Sequence, residues 1–347
     1  MKKITVIIIL VTILLPMRVH AIDITPPSAP DSAEEYMPED TQSFVEGVWY
    51  ILSKAVKDLL PEIYETAGLC LSIFAIIMLT AIVHSISDSS QKVVHLASTI
   101  LLGIVLIDPA NALIRLGIDT ITEMSEYGNL LIPVLTGAMA AQGSVSTSAA
   151  LYAITTFFGS LFTTVITKAA IPMLYVYFCL CIVNGAVGDP MIQNIIGFIK
   201  WLITWTLKIL LYVFTGFIGI TGVVSGTADA SAVKAVKLTI SGMVPLVGGI
   251  ISDASETILV SAGVMKSAAG VYGLWAIIAV FIGPFLKIGL QYLIIKLTAA
   301  LCSVFSAKRE SDLLKEFSAG MGMLLAMAGS VCLFLLIGVV CFMKGVS

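Results

Sequence analysis

Long apolar runs separated by short polar breaks recur at about residues 67–87, 93–113, 145–167, 169–187, 201–223, 271–298 and 320–342. Each approaches the roughly 20 residues that carry a helix across a bilayer, so the pattern predicts an all-α polytopic transmembrane bundle of about seven helices. Residues 129–141, which hold Pro133, are apolar but short and read as an interfacial or re-entrant piece. The rhythm fails at 225–270, where small, hydroxyl and a few charged residues replace the apolar run. Val236, Ile240, Met243, Val244 and Val247 still recur at three- and four-residue steps, but Pro245 and the pair Gly248 and Gly249 interrupt any continuous helix. Asp253 and Glu256 then take capping-box spacing ahead of Thr257, so two half-helices are expected. The segment reads either as a re-entrant gate whose helix N-terminus faces a passage or as an ordinary amphipathic hairpin.

The first 21 residues place Lys2 and Lys3 before an apolar core at 4–15, with Val19 and Ala21 as the small residues of a cleavage site. They are expected to be a signal peptide, which places the following chain outside the cytoplasm. Residues 22–66 are rich in proline and then acidic, and are expected to form an exported tail leading into an interfacial helix. The division that follows is 1–21, 22–66, a first membrane region at 67–224, the broken segment at 225–270, and C-terminal membrane helices at 271–347. Loop charge divides: Lys234, Lys237 and Lys266 suit a cytoplasmic 225–270, while Lys308, Arg309 and Lys315 would then face out.

Composition sharpens the membrane reading. Hydrophobic residues make up 58% and charged residues 12%, against about 25% charged in soluble domains. The mean hydropathy is +1.03. A net charge of −3 without a basic stripe argues against nucleic-acid binding. Cys70, Cys179, Cys181, Cys302, Cys332 and Cys341 lie in apolar segments without metal-ligand spacing, so no metal or cofactor is expected. No phosphate loop, zinc-protease motif or nucleophile elbow occurs, so the chain is not expected to be an enzyme.

The candidate chemistry is charge inside apolar spans, where a lysine costs roughly 2.5–3.5 kcal/mol unless it snorkels or faces water. Lys208 shares a helical face with Lys200, and Lys287 follows Pro284. One reading makes Lys208 and Lys287 the lining of a pore or subunit contact, paired with Asp108; the other makes them snorkelling side chains or a structural ion pair. Asp108 and Pro109 interrupt the second span, either as a coordinating kink or as a helix end. Gly322, Ala326 and Ser330 repeat at four-residue steps and permit close helix contact, leaving a homo-oligomer open.

The stretch from Val233 through Gly273, VKAVKLTISGMVPLVGGIISDASETILVSAGVMKSAAGVYG, continuing through Phe281, Gly283, Pro284 and Lys287, closely resembles the stage III sporulation protein AE family. The resemblance implies a polytopic subunit of the channel-like complex that joins mother cell and forespore. It further implies a place in the mother-cell membrane around the forespore, with the N-terminal tail in the intermembrane space. The partners implied are the other subunits of that complex, including a secretion-type ATPase and ring-forming proteins, alongside membrane lipid. Two rivals stand beside this reading: a secondary transporter with a solute pocket near Lys208, Asp108 and the broken segment, and a membrane scaffold for soluble partners.

Overall fold

A computed structural model describes residues 26–38, 43–86, 91–142, 144–220, 268–304 and 308–345, and the described residues are almost entirely helical with no strand. A short turn, α1 (Asp31–Glu34), precedes the long helices α2 (Phe44–Ile86) and α3 (Gln91–Ala141). Helix α4 (Val145–Val165) passes through a π turn at Ile166–Ala170 directly into α5 (Ile171–Val187). Helices α6 (Pro190–Ile220), α7 (Ala268–Val304) and α8 (Lys308–Gly345) complete the bundle.

Six helices among the described residues are long and apolar enough to cross a membrane, with α4, the π turn and α5 counting as one. The count of about seven falls to six because the backbone does not break at Lys168. Pro172 supplies the local reason for the π turn: it has no N–H, and its ring crowds the carbonyl four residues back. The helix widens instead, and the N–H of Ile171 bonds the carbonyl of Ile166, five residues back. Asp108 and Pro109 likewise do not end a helix, since α3 runs through both Pro109 and Pro133. The buried residues Leu106, Ala110 and Ile114 hold that stretch against the core on either side of the proline. Helix α2 also runs unbroken past residue 66.

The helices run up and down between two ends. At one end, Phe44 stacks on Trp275 with centroids 6.3 Å apart, and a Cβ on Gly270 would meet Met343 at 2.7 Å. At the other, Gly188 sits beside Arg309, and His95 lies 3.0 Å from Glu310. Four spans separate Phe44 from Ile220, so both flanks of residues 221–267 open at the Phe44 end.

Helix α8 fills the axis. It is buried along most of its length and packs on α7, α3, α4, α5 and α6 in turn, while α2 lies outside against α7. Apolar surface gives helices little reason to associate in lipid, so close packing must hold them. A Cβ on Gly117 would meet Leu324 at 2.7 Å, and one on Gly320 would meet the Phe178 ring at 2.5 Å. Phe334 knots three helices, with centroids 5.0 Å from Phe162 and 4.6 Å from Phe214. Met321, Met323 and Met327 are buried in the same core. Large apolar side chains also face outward, among them Leu71, Ile104, Val183, Phe198, Trp201 and Leu297. On a membrane protein this is the lipid-facing surface.

The segment before α2 is packed. Ala33 is fully buried, the Ala29 N–H donates to the Tyr272 hydroxyl at 3.2 Å, and Lys54 Nζ lies 3.5 Å from a Glu35 carboxylate oxygen. Partial burial, together with the Asp58 carboxylate beside it, pushes the Tyr36 phenol up to about 12, so it stays protonated across the physiological range.

Candidate functional site: a polar cleft at the Arg309 end

Gly188 takes the left-handed conformation (φ 74°) that lets α5 stop in a tight turn, and its N–H bonds the Asn184 carbonyl at 2.6 Å. Asp189 then caps α6, its carboxylate accepting the Met191 N–H at 2.8 Å. This turn sets the polar ends of α5 and α6 against the charged first turns of α8. Between them lies a cleft of about 500 Å³, lined by Cys181, Asn184, Gln193, Arg309, Asp312 and Glu316 among others.

Glu316 is the hub. The Tyr177 hydroxyl donates to one carboxylate oxygen at 2.6 Å, Gln193 Nε2 donates to the other at 3.3 Å, and Lys200 Nζ lies 3.7 Å away. Asn184 Nδ2 extends the chain by donating to Gln193 at 2.6 Å. Three helices thus converge on one carboxylate, while Arg309, Asp312 and Lys315 stand around the mouth of the cleft. A charge-assisted network of this kind fixes the relative positions of helix ends, and at the mouth Lys315 Nζ donates to the Asp312 carboxylate at 2.9 Å.

A second carboxylate, Glu310, is fully buried; it accepts from Ser98 at 2.7 Å and lies 3.0 Å from His95 Nδ1, tying α3 to α8. Among the described residues its other oxygen has no hydrogen-bond partner.

The residues expected from sequence do not come together. Lys287 pairs with Glu62 of α2 at 2.5 Å and not with Asp108. Asp108 is exposed on α3, and Lys208 is half-buried on α6. None of the three lines the bundle axis, which α8 occupies. Pro245, Gly248, Gly249, Asp253 and Glu256 lie outside the described residues. Sequence reasoning missed Glu316, Tyr177, Gln193 and Glu310. Their one signal was the presence of Glu310 and Glu316 just ahead of an otherwise apolar final helix.

No group of three or more histidine, cysteine or carboxylate residues able to hold a metal occurs among the described residues. No solved structure matches the chain. Stage III sporulation protein AE of Bacillus subtilis strain 168 is 22% identical over 232 residues, covering 67% of this chain and 58% of its own length. The chain therefore aligns with less than two thirds of that relative. The profile described as stage III sporulation protein AE matches residues 33–345, nearly the whole chain. This integral membrane protein, whose helix ends converge on a charged cleft, belongs to the stage III sporulation protein AE family.

Proposed function

We propose that the chain is a non-enzymatic membrane subunit of the channel-like complex joining mother cell and forespore, and that the cleft at the Arg309 end docks a partner subunit. The observation that carries this reading is the filled axis. A single-chain permease needs a solute route through its own bundle, but α8 occupies that position with Leu324, Met327, Val331 and Phe334 packed tightly around it. The spread of Lys208, Lys287 and Asp108 over different surfaces likewise supports a subunit over a solute pocket.

In this reading the Phe44 end faces the intermembrane space and the Arg309 end faces the mother-cell cytoplasm. Residues 22–53 contain no lysine or arginine, as suits translocation, while Lys92, Lys308, Arg309 and Lys315 gather at the other end. The cleft is then presented to cytoplasmic partners, of which the secretion-type ATPase is the natural occupant. Residues 221–267 fall on the intermembrane side, opposite to what Lys234, Lys237 and Lys266 suggested.

The test reverses charge at the mouth. The double variant Arg309→Glu with Lys315→Glu is expected to accumulate normally in membranes, to lose most co-purification with the ATPase, and to block forespore development. Unchanged co-purification would remove the docking role, and unimpaired sporulation on loss of the whole chain would overturn the subunit reading.

A further inference from the structure

The outer face of α3 changes character partway along. Asp108, Arg115, Asp119, Thr122, Glu126 and Asn129 are exposed and follow one another at steps of three, four or seven residues. They form one polar stripe over about 31 Å of helix. The neighbouring helix continues the same surface with Thr156, Ser160 and Thr164, all exposed. The two stripes belong to one face, because the Thr163 hydroxyl donates across the α3–α4 seam to Ser125 at 2.9 Å.

Two explanations would make such a stripe ordinary. In the first, this half of the bundle stands clear of the membrane. The packing argues against it by fixing which residues share a level. Ser125 meets Thr163, Phe162 stacks on Phe334, and Phe334 packs on Phe214. At that level the helix on the other side of the bundle, α6, exposes Val213 at 46% and Phe217 at 50%. One level therefore carries an aromatic and aliphatic surface suited to lipid on one side and a charged surface on the other.

In the second, the stripe is covered by dry protein packing. Asp108, Arg115, Asp119 and Glu126 take no ion pair among the described residues. Burying unpaired charges costs several kcal/mol each, so a dry cover is disfavoured.

We infer that the outer face of α3 and α4 is one wall of a water-filled passage at membrane depth, closed by neighbouring subunits. The route thus runs beside the bundle, since α8 blocks its axis. The wall carries three carboxylates to one guanidinium along the stripe, so it concentrates cations over anions. This rests on the subunit reading only in needing neighbours to close the passage.

Thiol reactivity in native membranes tests the wall. In a background lacking the exposed Cys179 and half-buried Cys70, single substitutions Thr122→Cys and Ser160→Cys are compared with Val213→Cys and Phe217→Cys on α6 at the same level. Membrane-impermeant charged thiol reagents are expected to modify the first pair at least tenfold faster, with the cationic reagent outpacing the anionic one at Thr122→Cys. Equal, slow reaction at all four positions would mean a covered face. Equal, fast reaction would mean that this level lies outside the membrane. Either outcome overturns the passage without touching the ATPase co-purification result. Normal accumulation of each variant in membranes serves as the folding control, and a second threonine, Thr156→Cys, replaces either wall position that fails it.

Discussion

Glu316 illustrates how a single carboxylate is made tolerable within an apolar protein. It sits near a helix end and collects a tyrosine hydroxyl, an amide and an ammonium group, so that its charge is met from two neighbouring helices. Removing the buried Tyr177 hydroxyl leaves the carboxylate short of its shortest hydrogen bond, and Tyr177→Phe is expected to cost about 1–2 kcal/mol. Lys287 behaves differently. Its pair with Glu62 is partly exposed, with side-chain accessibilities of 40% and 33%, so Lys287→Leu is expected to cost less than ~1 kcal/mol. Thermal unfolding of the purified protein in detergent reads both, and an order opposite to this would reject Glu316 as the hub. The sequence made Lys287 conspicuous because a charge in an apolar run stands out, yet its partner lies in the amphipathic start of α2, more than 200 residues away. Glu316 and Tyr177 were inconspicuous for a related reason: each is ordinary alone, and they meet only because α5 and α8, far apart in sequence, pack against each other.

At the scale of elements, the helical character was legible throughout, because apolar runs of spanning length admit little else in lipid. The boundaries were less so. Pro109 and the charged Lys168 look like interruptions, but a proline's lost hydrogen bond is local, and the helix stays continuous through Pro109 and passes Lys168 with one π turn. What the runs could not reveal is how closely the helices approach. Gly320 sits under the Phe178 ring, and that ring is held by Phe317 at 4.8 Å, so it has nowhere to go. Gly320→Ala is expected to destabilise the protein by about 1–3 kcal/mol. Gly137 lies inside α3, and no neighbouring atom comes within 4 Å of where a Cβ would stand, so Gly137→Ala is expected to be neutral or to stabilise by up to about 1 kcal/mol. The comparison is read from unfolding midpoints of the two variants. Equal midpoints would mean that α8 and α5 pack less closely than the geometry requires.

For the molecule as a whole, one merged helix changes more than a count. Splitting 145–187 into two spans puts five crossings before residue 225 and places the broken segment opposite the N-terminal tail. The continuous helix through Lys168 leaves four, and the ends at Ile220 and Ala268 then lie with Phe44. Loop charge could not decide this, because lysines gather on both sides, whereas parity follows from chain direction alone once the spans are known. Single cysteines make the consequence measurable. In intact mother-cell membranes, Ser32→Cys and Ser231→Cys are expected to react with an impermeant thiol reagent from the same side, and Lys308→Cys only from the opposite side. Lys308 is suited to this because it is exposed at the start of α8. Reaction of Lys308→Cys together with Ser32→Cys, with Ser231→Cys reacting only from the opposite side, would mean that an odd number of crossings separates residue 231 from the tail. The continuous helix from Val145 to Val187 would then have to turn back inside the membrane, and the cleft at the Arg309 end would share its side with the N-terminal tail.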